Sequence, residues 1–150
     1  MADRRDLTFT QLDDVMPDVM RLLAGHEVVG HWTLGQICHH LNVATTLTLL
    51  DDPATDAEPD AHPSFERRRQ RFFQAGRFPE GVVAPHPSLL PPEGLDDRAE
   101  AESLRGALTR FAAHSGTYRP HPMLGPLSRA EWERFHCMHA AHHLGFAVPV

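Results

Sequence analysis

Histidines stand at the centre of an apolar helical stripe near the end of the chain, and this constrains the fold more than any other feature. The run reads Trp132-Glu-Arg-Phe135-His136-Cys-Met-His139-Ala-Ala-His142-His143. A helix turns about 100° per residue. Trp132, Phe135, His143 and Phe146 therefore fall within about 40° of His139, while His136 and His142 flank it at about 60° on either side. A buried imidazole needs a hydrogen-bond partner or a metal. His139 and His143 are one turn apart on one face, a spacing that lets two imidazoles share one ion.

An answering pair lies far upstream, in Trp32-Thr-Leu-Gly-Gln-Ile37-Cys-His39-His40-Leu41. With Ile37 as origin, Leu41, Ala44 and Thr48 share a face within roughly 40°. His40 lies about 60° away, on the flank of that face, and His39 is nearly opposite. His40 is the inward candidate and His39 a solvated one. A third ligand from another helix would complete a facial triad with open positions, the form of a catalytic metal site. The other reading is a set of core histidines satisfied by hydrogen bonds; spacing alone does not choose.

Four segments carry helical periodicity. The first starts near Thr10 with Asp13 as an approximate capping partner, and Pro17 should kink it or shift its start. Leu12, Val15, Val19, Leu22 and Leu23 make its stripe, and Gly25 closes it. The second runs from about Thr33, a good N-cap, to Leu50, ended by Asp51-Asp52-Pro53. The third spans about Asp96 to His114, with acidic residues at its positive end and Leu104, Leu108 and Phe111 as its stripe. The fourth starts at Ser128, with Glu131 three residues on, and reaches about Leu144. No strand pattern is convincing.

Between the second and third helices lies a long connection, residues 51–95, holding eight of the thirteen prolines. Its first part reads as an acidic loop. Ser64 to Ala75 reads as a short helix with Phe65, Phe72 and Phe73 as contacts and Gly76 as stop. Arg67, Arg68, Arg69 and Arg71 form a basic cluster that is either a solvated face or a binding site for an anion or the acidic loop. Arg77 to Pro92 reads as extended coil, and so long a connection often walls a functional site. The expected fold is all-α: one domain over residues 1–150, a four-helix bundle whose long crossover permits the second and third helices to run parallel.

The formal net charge of -6 argues against a nucleic-acid binder working through overall basic charge. No apolar run is long enough to span a membrane and no secretory hydrophobic region follows the N-terminus, so the cytoplasm is the expected location. Cys38 and Cys137 form no paired motif and read as reduced, buried thiols.

The Trp32–Leu41 run resembles the "W-s-x-x-q-x-x-x-H-L" segment that opens the second helix in the DinB/YfiT-like superfamily. Leu124-Gly-Pro-Leu127-Ser-Arg-Ala-Glu-Trp132, continued through Phe135 to His143, is similar to the fourth helix of one branch, an uncharacterised bacterial domain of unknown function. That branch carries "H-P-x-x-G-x-L", here His121 to Leu127, and ends in "H-H-L-x-F-x-x-P", here His142 to Pro149. Arg4-Arg5-Asp-Leu-Thr-Phe9 is similar too. The resemblance implies a four-helix bundle with a three-histidine divalent metal site, its ligands His40, His139 and His143. It also raises dimerisation, and a low-molecular-weight thiol as cofactor. The long loop and the Phe146 ending depart from the transferase-like members, which often show "H-x-G-Q" after the last ligand histidine.

Two functional expectations follow. In the first, the three histidines hold Zn²⁺ or Ni²⁺ in a metal-dependent hydrolase or a thiol S-transferase acting on a small molecule, with His136 or His142 as proton shuttle or hydrogen-bond partner. In the second, the chain is a non-catalytic, stress-related helical-bundle interaction protein, a homodimer in which the histidines are structural.

Overall fold

The computed structural model describes residues 3–50, 63–82, 84 and 86–150. It is mostly helical, with five α-helices and one two-stranded sheet among the described residues. A 3-10 turn, Leu12–Asp14, leads into α1, Val15–Ala24. The N-terminal brace is Asp14 rather than Asp13. Its carboxylate accepts from the Gln11 backbone N–H at 3.3 Å and the Thr10 hydroxyl at 3.1 Å. Pro17 sits in the first turn, where its missing N–H has no intrahelical partner to lose, so it marks the start rather than a kink.

Helix α2, Leu34–Leu47, begins with a reciprocal cap: Gln36 N–H donates to Thr33 Oγ1 at 3.2 Å and Thr33 N–H to Gln36 Oε1 at 2.9 Å. It stops short of Leu50 because the last residues tighten, with Leu49 N–H bonding Thr46 O at 3.0 Å. The Asp51-Asp52-Pro53 stop and the acidic loop lie outside the described residues. Helix α3, Pro63–Ala75, ends where Gly76 takes a φ of 67°, a left-handed turn that suits a residue with no Cβ. Helix α4, Asp97–Ala113, is capped by Asp96, whose carboxylate accepts from Ala99 N–H at 2.8 Å. Helix α5, Arg129–Leu144, carries the Ser128/Glu131 box in both directions.

Paired contacts give the helix directions. Gly35 N–H donates to Asp97 Oδ1 at 2.7 Å, His39 meets Glu100 at 3.3 Å, and Arg119 N–H reaches Thr48 O at 3.0 Å. These advance together, so α2 and α4 run the same way, which only a long connection permits. A Cβ on Gly35 would stand 3.2 Å from Leu95 O, so glycine allows this approach. In contrast, His40 faces His139 while Thr48 faces His136, so α5 runs against α2. Arg105 against Met20 and His26 near Asp97 set α1 against α4. Phe111, Leu22, Leu34, Ile37, Leu104 and Leu144 are fully buried between these helices.

The sheet corrects the expectation that no strand forms. Strand β1, His26–Val28, pairs antiparallel with β2, Ala147–Pro149. Three residues are too short to show period-two alternation. They pair because α1 and α5 end side by side. Before α1, Arg5 crosses to the same corner. Its guanidinium bonds both oxygens of Asp18 at 2.8 Å, Ala147 O at 2.8 Å and Leu144 O at 3.0 Å. The Arg cluster of α3 divides: Arg68 and Arg69 bond Met123 O and Leu124 O, whereas Arg67 and Arg71 are exposed. No described helix is long and apolar enough to cross a membrane.

Removing Arg5 leaves the buried Asp18 carboxylate with the exposed Arg21 alone as a charged partner among the described residues. Arg5→Met should cost about 3–5 kcal/mol in urea unfolding, whereas Arg21→Ala, which removes an exposed partner of the same carboxylate, should cost no more than about 1 kcal/mol.

Candidate metal centre

Helix α2 presents His40 and α5 presents His139 and His143 to one point. The Nε2 atoms of His40 and His139 are 2.9 Å apart, and those of His143 and His139 3.1 Å. One nitrogen from each ring lies within 4.8 Å of the other two, and this is the group of three or more candidate ligands found among the described residues. His40 and His139 are buried and His143 half-buried. The facing geometry of the sequence is thus realised.

The protons of this cluster do not close. His40 Nδ1 lies 2.7 Å from Leu89 O, and a carbonyl only accepts, so Nδ1 carries the hydrogen. His40 Nε2 is then a bare lone pair. His139 Nε2 touches two nitrogens but holds at most one hydrogen, so it cannot satisfy both as donor. Its Nδ1 is buried without a partner. Adding protons is opposed: burial first, then the neighbouring imidazoles, hold His139 well below the usual histidine range and His143 at about 2. Burial lowers His40 too, partly offset by the Leu89 carbonyl. A divalent cation takes all three lone pairs at once. Nitrogens about 2.0–2.1 Å from one zinc ion sit roughly 3.4 Å apart in a tetrahedral array, close to the 2.9 and 3.1 Å of the two contacts at His139, with all three within 4.8 Å. The donor set therefore fits a metal.

Two aromatic rings enclose the cluster. Trp32 stacks on His143 at 5.4 Å and tilts over His40 at 4.9 Å. Phe78 lies 4.7 Å from His139 and 5.5 Å from His142. Trp32, just ahead of α2, thus packs against the site. The long connection does wall the site, through Phe78 and the Leu89 carbonyl. Phe78 has no periodic pattern to announce it, and a backbone acceptor carries no residue signature.

The flanking histidines go separate ways. His136 is buried with its ring stacked on Trp132 at 5.4 Å, and its Nε2 lies 3.5 Å from Thr48 Oγ1. Thr48 spends its own hydrogen on Thr45 O at 2.6 Å, so it is the acceptor. The structure does not bring His136 into the cluster. His142 does border it, ring centre 4.8 Å from His143. His39 is half-buried against Glu100 rather than free in water. Cys38 and Cys137 are free and buried, with burial and then nearby carboxylates pushing both thiols to about 12, so they stay protonated.

The family model described as "Protein of unknown function (DUF1569)" matches residues 1–150, and the chain belongs to this family. Neither the curated proteins nor the solved structures contain a match.

Burial, with a smaller push from His121, holds His136 near 3. Between about pH 6.5 and that value the unfolded chain takes up a proton that the folded one refuses. The His136 contribution is therefore whole above pH 6.5 and lost as pH falls. At pH 4.5, about two units below the unfolded value, wild type should have lost roughly 2.7 kcal/mol more than His136→Phe, each referred to its own stability at pH 7.5 in urea melts.

Proposed function

We propose that this chain is a metalloenzyme in which His40, His139 and His143 hold one divalent ion within a four-helix bundle of the DinB/YfiT-like kind. Helices α1, α2, α4 and α5 would be that bundle, with α3 added in the crossover. The parallel α2 and α4 support this reading, because they need the long connection that carries α3. The observation that carries the metal assignment is the convergence of three ring nitrogens whose lone pairs outnumber the hydrogens available to them.

All-imidazole ligation suits Zn²⁺ or Ni²⁺, and such an ion with open positions lowers the pKa of a bound water or thiol to make a nucleophile near neutral pH. The chain's residues prepare that site. Leu89 O holds the His40 ring in one tautomer. Trp32 and Phe78 exclude water from the faces they cover. The half-buried side at His143 and His142 leaves an approach for a small molecule. The resulting class is a metal-dependent hydrolase or, where a low-molecular-weight thiol attacks, an S-transferase.

Protein purified without a histidine tag should carry close to one Zn²⁺ or Ni²⁺ per chain by elemental analysis. His139→Ala and His143→Ala should lose it while keeping helical circular dichroism, and His136→Phe should retain it. Free metal at a hundred times its dissociation constant should add about 2.7 kcal/mol to stability. Melting indifferent to both metal and chelator would favour structural histidines instead. A panel of thiols and esters then separates transfer from hydrolysis.

A further inference from the structure

Arg4 is held on three sides beside the cluster. Nη1 bonds Glu80 at 2.7 Å, the Phe146 ring lies 4.2 Å beneath the guanidinium carbon, and Nη2 reaches α5. That last contact is double: Nη2 stands 2.8 Å from His142 Nδ1 and 2.9 Å from His142 O. A guanidinium has five N–H donors and no acceptor. His142 Nδ1 must therefore accept, and the hydrogen of the neutral ring sits on Nε2. Nε2 has no hydrogen-bond partner among the described residues, and the side chain is half-buried. The tautomer is opposite to that of His40, whose hydrogen is on Nδ1.

This arrangement puts a neutral N–H donor with no acceptor among the described residues on a ring that borders half-buried His143. We propose that Arg4 is a positioning residue that sets His142 as an Nε2–H donor, and that this donor holds an anionic ligand of the metal. The ligand-holding half rests on the metal reading above; the tautomer half does not. The class of ligand is a small anion, or a substrate oxygen bearing negative charge, bound at an open position of the ion. Glu80 and Phe146 fasten the far side of Arg4, so that its Nη2 stays on His142 rather than turning to the anion itself.

Two measurements test the halves separately. Long-range proton–nitrogen correlation on metal-free, nitrogen-15-labelled protein reads each ring tautomer. His142 should show its hydrogen on Nε2, and Arg4→Met should shift it toward a mixture while His40 keeps Nδ1–H. A wild-type His142 protonated at Nδ1 overturns the proposal. The second measurement titrates cobalt-loaded protein with azide, followed by the visible absorption of cobalt. His142→Phe and Arg4→Met should each weaken azide about tenfold, the worth of one hydrogen bond to a charged group, with cobalt stoichiometry unchanged. Arg4→Lys, which restores a donor to Nδ1, should recover part of the affinity. Azide binding equal in wild type and both variants overturns the ligand-holding half and leaves the metal reading standing. Failure to bind cobalt overturns the metal reading and that half together.

Discussion

The hydrogen bond from His40 to the Leu89 carbonyl is the contact on which the rest of the site depends. It joins α2 to a residue 49 positions further along the chain, and so ties the long connection to the bundle. It also decides which nitrogen of His40 faces α5. With that ring fixed as an acceptor at Nε2, the single hydrogen His139 Nε2 can carry serves one of its two nitrogen neighbours, and the interior holds an excess of lone pairs in a place where burial resists protons.

The other end of α5 is held by a different device. Arg4 and Arg5, adjacent in sequence, both bond carbonyls of its last turn, His142 O and Leu144 O. Cations there suit the negative end of the helix dipole. The β1–β2 pairing continues the closure through Val29 N–H on Phe146 O and Val150 N–H on Gly25 O. Position along α5 is therefore set at its foot by the Ser128 box and at its end by two guanidiniums, leaving His139 and His143 little freedom to slide.

Much of this was legible in the residues. Helix starts at Thr33 and Ser128 followed from side chains whose oxygens accept from the first turn, and the start at Asp96 from acidic residues suited to the dipole; all three residues cap their helices. The inward set His40, His139 and His143 followed from rotation alone. What was not legible depended on tertiary closeness. The two short strands exist only because two helices end together. His39 meets Glu100 only because α2 and α4 run parallel. Trp32 reaches the histidines by its place just ahead of α2, which periodicity does not weigh, and the Leu89 carbonyl belongs to the backbone.

Helix α3 contains no buried residue, although its Phe72 lies against Phe135 and its neighbour Phe78 against His139. Local opening free energy follows buried apolar contact. By that rule α3, with no buried residue, should exchange its amides faster than α2 and α5, which carry the ligating rings in the buried core.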